Sequence, residues 1–473
     1  MGELYLGVDV GTTSAKCLAV DERGQAVGFG QQHYALHHPR AGWAEQDPEA
    51  LWQGLAAAVR ACLAECRERG PVAGLALSTQ ADTLIPVDAQ GRPLRPALSW
   101  MDGRAQAEQA ALLAETGRSF WYRHTGKALT PLSSACKIRW LREHEPALQP
   151  ARYCWVPDYL AWRLCGQFAT DTPSASWSPF FSPTCRQWVG ETLAAVGVEQ
   201  GQLPEVVASG QPLGELLPEA AAELGLAPGT MLLAGAFDQV AAAHGAGAEP
   251  HQVGVLSCGT AWVLYCVVAQ PPVDPQEAVP VCCHVDEEQW GLVLPFAGGA
   301  ALDWFRSAFP AGPEAAGGGP LVFIPHLYGG LAPDWREESR GSLLGLGLAH
   351  GWQDVERAVR VGITCEARRN LAAAERLAGR LPLLRMVGGA ARDPAWPQLV
   401  ADLLDRPTSL PEVTEAACYG AARLAAGKAA ASWQIREAHQ LAPDPARRQE
   451  LQEDYARYLR CYQALLPVYG QWS

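Results

Sequence analysis

Basic charge in excess, long apolar runs and cysteine pairs at metal-binding spacing are all missing from this chain of 473 residues. A formal net charge of -13 leaves no basic stripe for a nucleic-acid partner. The longest stretch free of Asp, Glu, Lys and Arg runs from Pro250 to Val273. Gly254, Ser257, Gly259 and Thr260 interrupt it and Pro271-Pro272 close it, so it reads as a buried hairpin and not as a membrane span. The opening segment, Met1-Gly-Glu-Leu-Tyr-Leu-Gly7, enters a strand without the basic segment and apolar core of a secretory signal, so export is not expected. The 14 cysteines form neither a CxxC pair nor a compact disulfide framework, and they read as buried thiols in a reducing cytosol. His284 beside Cys283 reads as local packing, not as half of a metal site.

What is present is a soluble globular composition, 48% hydrophobic and 18% charged, on a chain long enough for two or three domains. Two segments repeat a pattern. Leu6-Gly-Val-Asp-Val-Gly-Thr-Thr-Ser14 is followed by Lys16-Cys-Leu-Ala-Val20, and Val255-Leu-Ser-Cys-Gly-Thr-Ala-Trp262 by Val263-Leu-Tyr-Cys-Val-Val268. In each, an apolar β-rich run breaks at Gly-Thr and resumes. A Gly-Thr turn lets backbone N–H groups converge without a Cβ in the way and adds a hydroxyl donor, which suits polyphosphate oxygens. One copy is an ordinary turn; two, one per half, point to a duplicated fold holding a nucleotide between its lobes.

Between these turns, short strands alternate with helical runs, an α/β pattern. Asp47-Pro48 starts an amphipathic run from Glu49 to Arg69. The strand Val72-Ala-Gly-Leu-Ala-Leu77 ends in the polar cluster Ser78 to Asp82, where ligand contacts are expected. Thr170 to Pro183 reads as irregular, and Ala308 to Pro320, rich in Gly, Pro and Ala, as an excursion between elements. Asp238 follows the buried strand Met231–Phe237 and opens a small-residue helix. A carboxylate there either accepts a proton from a bound alcohol or caps the helix, and local sequence does not choose. Leu384-Arg-Met-Val-Gly-Gly-Ala-Ala391 offers a glycine turn for a nucleoside. Other phosphate loops are missing: Thr125-Gly-Lys-Ala128 lacks the first Gly and the hydroxyl of a P-loop, and Gly345-Leu-Gly-Leu-Ala-His-Gly351 misses the dinucleotide spacing by one.

Taken in order, Asp9–Lys16, Trp43–Pro48, Trp100-Met-Asp-Gly-Arg104, Asp158-Tyr-Leu160, Asp238-Gln239, Ser257–Thr260, Gly388–Arg392 and Ala416–Ala422 make the chain resemble the FGGY carbohydrate kinases, with a xylulokinase-like pattern. The resemblance implies an α/β, two-lobed, duplicated ribonuclease H-like fold of the actin-like ATPase kind with a central cleft. Residues 1–247 are then an N-terminal sugar-binding lobe and 248–473 a C-terminal nucleotide-binding lobe. It further implies ATP and Mg²⁺ as cofactors, with Asp9 holding the metal. Gly11, Thr12, Thr13, Lys16, Gly259, Thr260, Gly388, Gly389, Ala390 and Arg392 would contact the nucleotide and its phosphates. Gln80, Ala81, Asp82, Trp100, Asp102, Asp238 and Gln239 would contact the sugar, Asp238 being the catalytic base. The partner expected is a small-molecule sugar or polyol, with no nucleic acid and no membrane. A cytoplasmic location is expected, and a homodimer is kept as a candidate assembly.

Departures from the pattern bear on the acceptor in the first lobe and on ATP affinity and lobe closure in the second. Ala81-Asp82 stands where xylulokinases usually carry Met-His, which removes bulk, adds negative charge and is expected to disfavour acidic sugars. Gly329-Gly-Leu-Ala-Pro333 lacks a Glu-Arg pair, and Val361 stands where a Glu is usual. A ketopentose such as D-xylulose is the first acceptor to expect. Another ketose or polyol (ribulose, erythritol, glycerol) is the alternative, along with a non-catalytic sugar sensor. A chaperone-type ATPase leaves the segment Trp100 to Arg104 unexplained.

Overall fold

Period-two alternation along the first strand decides how the two halves of the chain meet. In β1 (Leu4–Val10), Leu4, Leu6, Val8 and Val10 lie on one face and Tyr5, Gly7 and Asp9 on the other. The first set packs against Leu51, Trp52 and Leu55 of the helix Pro48–Glu65. The second set faces the helix Ala416–Ala426 from the far end of the chain, where Tyr5 clusters with Cys418, Tyr419 and Ala422. Gly7 is so close to that helix that a Cβ would stand 1.8 Å from the Cys418 carbonyl oxygen. Only glycine permits the approach.

The computed structural model describes residues 2–66, 70–312 and 317–471. Strands β1, β2 (Ser14–Asp21), β3 (Ala26–His33), β4 (Val72–Thr79), β5 (Pro212–Glu215) and β6 (Met231–Phe237) form a six-stranded sheet in the order β5-β6-β4-β1-β2-β3. Strands β7 (Val253–Cys258), β8 (Ala261–Val268), β9 (Val281–Cys283), β10 (Trp290–Ala297), β11 (Leu383–Val387), β12 (Thr408–Pro411) and β13 (Glu437–Leu441) form a seven-stranded sheet in the order β9-β10-β8-β7-β11-β12-β13.

The two sheets repeat one plan. An antiparallel meander (β1, β2, β3 and β7, β8, β10) is followed on its far side by two parallel strands (β4, β6 and β11, β12) and an antiparallel edge (β5 and β13). Only β9 has no counterpart. This is the duplicated, two-lobed α/β architecture expected from the paired Gly-Thr turns.

Between the sheets lie two helices of small residues, Asp238–Gly245 and Ala416–Ala426. They cross at Gly245 and Gly420: a Cβ on Gly420 would lie 1.9 Å from the Ala241 carbonyl oxygen, and one on Gly245 2.0 Å from that of Ala416. Val240, Ala241 and Ala243 pack against Val255, Val263 and Tyr265 of the second sheet. The outer face of that sheet, with Leu256, Trp262 and Leu264, is covered by the long helix Trp352–Ala378.

Some local expectations shift. The amphipathic run yields the helix Pro48–Glu65, with the Asp47 carboxylate accepting the Glu49 N–H; residues 67–69 of the expected run lie outside the described residues. Thr170 to Pro183 is regular after all, holding the strand Ala169–Asp171, the helix Thr172–Trp177 and the strand Phe181–Ser182. Asp171 explains it, because its carboxylate accepts the Ser174 N–H at 2.6 Å and starts a helix that composition alone does not announce. Within the Gly-, Pro- and Ala-rich excursion, residues 313–316 lie outside the described residues. Among the described residues no helix is long and apolar enough to cross a membrane. Pro250 to Val273 contains the β7-β8 hairpin, as its interruptions suggest.

Candidate active site

The first Gly-Thr turn is held from behind through its carbonyls. Tyr34 Oη donates to Gly11 O at 2.6 Å, Gln46 Nε2 to Thr12 O at 2.7 Å and the Tyr34 N–H to Thr13 O at 3.0 Å. With the carbonyl oxygens so engaged, the N–H groups and hydroxyls of Thr12 and Thr13 are the polar groups left for a ligand. Asp9, the last residue but one of β1, lies on the face that looks toward the other lobe. Ser78 Oγ, its register partner on β4, donates to Asp9 Oδ1 at 2.6 Å. Burial raises the Asp9 pKa, and the Ser78 hydrogen bond and the nearby Lys16 ammonium offset part of that rise. Lys16 lies opposite Asp9 on β2 and pairs with Glu415 at 2.6 Å. Glu415 also receives Arg392 Nη2 at 3.3 Å. It therefore ties a first-lobe cation to a second-lobe one.

In the second lobe, three glycine turns meet at one end of the sheet. The carbonyls of Gly259 and Thr260 accept the N–H groups of Gly299 and Ala300 at 3.1 and 2.9 Å. Gly388 has a φ of 93°, and a Cβ there would stand 2.9 Å from Cys258 O. A 3₁₀ turn, Gly389–Arg392, then carries Ala390 past the same end. Gly298 and Gly299 were not singled out by the sequence reading, although Ala297-Gly-Gly-Ala300 after an apolar strand carries the same signal as Val387-Gly-Gly-Ala390.

The residues expected to meet the acceptor gather at the ends of β4 and β6. Asp238 is the first residue of its helix, Phe237 being the cap, and Asp238 Oδ1 accepts the Gln239 N–H at 2.8 Å. Burial and then the negative charge of Asp9 push its pKa up to about 7. Gln80 donates its Nε2 to Gln46 Oε1 at 3.0 Å, while the buried Oε1 atoms of Gln80 and Gln239 have no hydrogen-bond partner among the described residues. Two buried carbonyl oxygens in want of donors fit the hydroxyls of a polyol. Trp100 is 37% exposed and donates its indole N–H to Thr12 Oγ1 at 2.9 Å, so it lies over the phosphate turn and is not a core aromatic.

Two expected acceptor contacts turn out otherwise. Asp102 is fully buried, with its oxygens taken by the Ala44 N–H at 2.6 Å and by Arg104 Nε and Nη2, both at 2.8 Å. Arg104 in turn lies 3.6 Å from the centroid of Trp43. Asp102 therefore holds the Trp100 loop from behind, and a sugar cannot reach it. Asp82 stands at φ 55°, its carboxylate accepting the Ser134 N–H at 3.1 Å and Trp155 Nε1–H at 3.2 Å. Burial raises its pKa against those donors and the neighbouring Lys137. Its charge is thus turned into the protein, while Ala81 beside it leaves the strand end open. Asp158 is likewise structural, since both of its oxygens accept the Trp155 N–H at the start of the helix Val156–Cys165.

Two lobes of one plan, with a glycine-lined turn on each and a carboxylate of raised pKa between them, are the arrangement of the actin-like ATPase fold. Residues 4–245 match the N-terminal domain of the FGGY family of carbohydrate kinases and residues 285–429 its C-terminal domain. The chain belongs to that family and is a sugar kinase. It is 30% identical to a xylulose kinase of Escherichia coli (strain K12) over 413 residues, 85% of this chain and 84% of the relative. It is 26% identical to a gluconokinase of Bacillus licheniformis over 446 residues, 89% and 86% of the two chains. A solved xyloylose kinase from Brucella ovis superposes with a TM-score of 0.90 at 29% identity, over 98% of this chain and all of that one.

Proposed function

We propose that this chain transfers the γ-phosphoryl group of ATP to a hydroxyl of an open-chain sugar, with a ketopentose such as D-xylulose as the leading acceptor. The observation that carries this reading is Asp238, a carboxylate with its pKa near 7, next to the unpartnered amide oxygen of Gln239. Gln80 and Gln239 orient the acceptor through its hydroxyls, and Trp100 and Ala81 shape its seat. Asp238 takes the hydroxyl proton as the acceptor oxygen bonds to the γ-phosphorus and the bond from that phosphorus to the β,γ-bridging oxygen breaks, releasing ADP.

The first lobe, residues 1–247, holds the acceptor in this reading, and the second, 248–473, holds the nucleotide. The turns Gly11–Thr13 and Gly259–Thr260 receive phosphate oxygens, and Gly388, Gly389 and Ala390 allow the nucleoside to approach. Lys16 and Arg392 supply positive charge once Glu415 gives them up. Mg²⁺ fits the donor set at Asp9, a hard carboxylate with one oxygen on Ser78, and when bound it would neutralise phosphate charge. Burial of the cysteines other than Cys185 and Cys461 supports a reducing, cytoplasmic setting. Ribulose, erythritol and glycerol are the alternative acceptors. Sugar-dependent ADP release by the purified protein tests the proposal: D-xylulose should elicit it, and failure across ketoses, polyols and sugar acids sinks it.

A further inference from the structure

The segment Trp43–Pro48 spends most of its polar groups on structure. Glu45 receives Arg95 and Arg104, each at 2.6 Å, the Ala44 N–H goes to Asp102, and Asp47 caps the helix Pro48–Glu65. Gln46 does something else. Glu45 and Gln46 form a short strand paired with Ala97–Leu98, so their side chains leave it on opposite faces. Gln46 is only 1% exposed, which leaves its amide to protein partners: Nε2 donates to Thr12 O at 2.7 Å, and Oε1 accepts Gln80 Nε2 at 3.0 Å. One buried side chain thus joins the first Gly-Thr turn to a residue expected to meet the acceptor.

The direction of this chain is dictated from one end. A backbone carbonyl can only accept, so Thr12 O demands the nitrogen of Gln46, and Gln46 must then turn its oxygen to Gln80 and take the Gln80 nitrogen. What remains at the far end is the buried Gln80 oxygen, which has no hydrogen-bond partner among the described residues. A free amide can offer a ligand either its nitrogen or its oxygen; this one can offer only oxygen, which calls for a hydroxyl that donates. The backbone of Gln80 is fixed too, its N–H donating to Val10 O at 2.9 Å, one residue before Gly11. Thr12 is gripped a second time through its hydroxyl, which accepts the Trp100 indole N–H at 2.9 Å and keeps its own proton to donate.

We propose that Gln46 is a positioning residue for phosphoryl transfer: it sets the Gln80 amide with its oxygen toward an acceptor hydroxyl and holds the Thr12 turn in register with that hydroxyl. It touches neither substrate and acts through Gln80 at one end and Thr12 at the other. The inference rests on the reading in which Gln80 meets the acceptor and Thr12 the transferring phosphate.

The test is steady-state ADP release with whichever of D-xylulose, D-ribulose and glycerol the wild type turns over fastest. Gln46→Met keeps the length of the side chain and removes both hydrogen bonds, so kcat/KM for the acceptor should fall roughly 10–100-fold, the scale of buried polar groups left unpaired. Because the two amides act as one unit, the double variant Gln46→Met, Gln80→Met should lie within about 3-fold of Gln46→Met alone. Gln46→Glu keeps an oxygen for Gln80 and loses the donor to Thr12, so kcat should fall about 10-fold while the acceptor KM stays within about 3-fold. An unchanged kcat/KM in Gln46→Met, or losses that multiply in the double variant, overturns the role and leaves the kinase reading standing. Should Gln46→Met fail to fold, Gln46→Glu decides, and an acceptor KM that moves while kcat does not overturns the role. Wild-type protein that releases no ADP with any of the three acceptors overturns the role and the kinase reading together.

Discussion

The two Gly-Thr hairpins share a backbone plan and divide the chemistry unequally. Aligned on their glycines, Gly11 and Gly259, Asp9 of the first corresponds to Ser257 of the second. The neighbours follow suit: Asp9 faces Ser78 and Lys16 across its sheet, whereas Ser257 faces Val387 and Val263. The first turn is therefore a charged site and the second a neutral one made of backbone. The helices that begin beyond β6 and β12 compare differently, since each opens on an acid, Asp238 in one and Glu415 in the other. Among the described residues one acid has no cation within reach and has a raised pKa; the other is saturated by Lys16 and Arg392. Duplication supplied the scaffold, and the surroundings of each acid set its chemistry.

The strongest way to break this comparison is to neutralise the unsaturated acid. Asp238→Asn should lower kcat by roughly 10²–10⁴-fold with the fold intact, and a variant that turns over at the parental rate removes Asp238 from the chemistry. The role proposed for Asp238 needs its ionised form, and with a pKa near 7 kcat/KM should rise with pH up to about 7 and level off above it. Stability runs the other way. A folded-state pKa raised from 3.8 to about 7 favours folding at low pH, and that contribution is lost as pH rises through about 7. Asp238→Asn should thus melt higher than the parent at pH 8, and the gap should narrow below about pH 7 and close only near about pH 4.

Making the first turn like the second comes next. Asp9→Ser should cost on the order of 10²–10³-fold in turnover, the scale of losing one preorganised electrostatic group, with an unchanged circular dichroism spectrum. The helix crossing is a test of stability instead of rate. Gly420→Ala places a methyl against the Ala241 carbonyl and should cost about 1–3 kcal/mol in urea unfolding, the usual scale of overpacking. The smallest effect sharpens the contrast within the second lobe. A Cβ on Gly259 meets nothing nearer than 3.7 Å, so Gly259→Ala should leave the melting temperature within a degree or two while raising the KM for ATP. Gly388→Ala, at φ 93° and 2.9 Å from Cys258 O, should lower the melting temperature and also raise the KM for ATP.

Much of this was legible in the sequence. The hairpins announce themselves because a Gly-Thr break between β-rich runs is local chemistry, and Asp238 is visible because it ends a buried strand. What could not be read is what distant residues do to those groups. Asp102 looks like a ligand contact beside Trp100, yet the Ala44 N–H and Arg104, itself held against the Trp43 ring, claim it. The charge of Asp82 is read correctly and its direction is not, since Ser134 and Trp155 lie more than fifty residues away. Glu415 and Lys16 are nearly four hundred residues apart, and no local pattern foretells their pairing.

The position of Ala416–Ala426 on the first sheet has a consequence for how the molecule is made. During synthesis, Tyr5, Leu18 and Val20 emerge early, but the helix that shields them, Ala416–Ala426, comes near the end of the chain. Until then that greasy stripe stays wet. A ribosome that stalls near the midpoint would release an aggregation-prone half, so the polypeptide can be severed there on paper but not in the test tube.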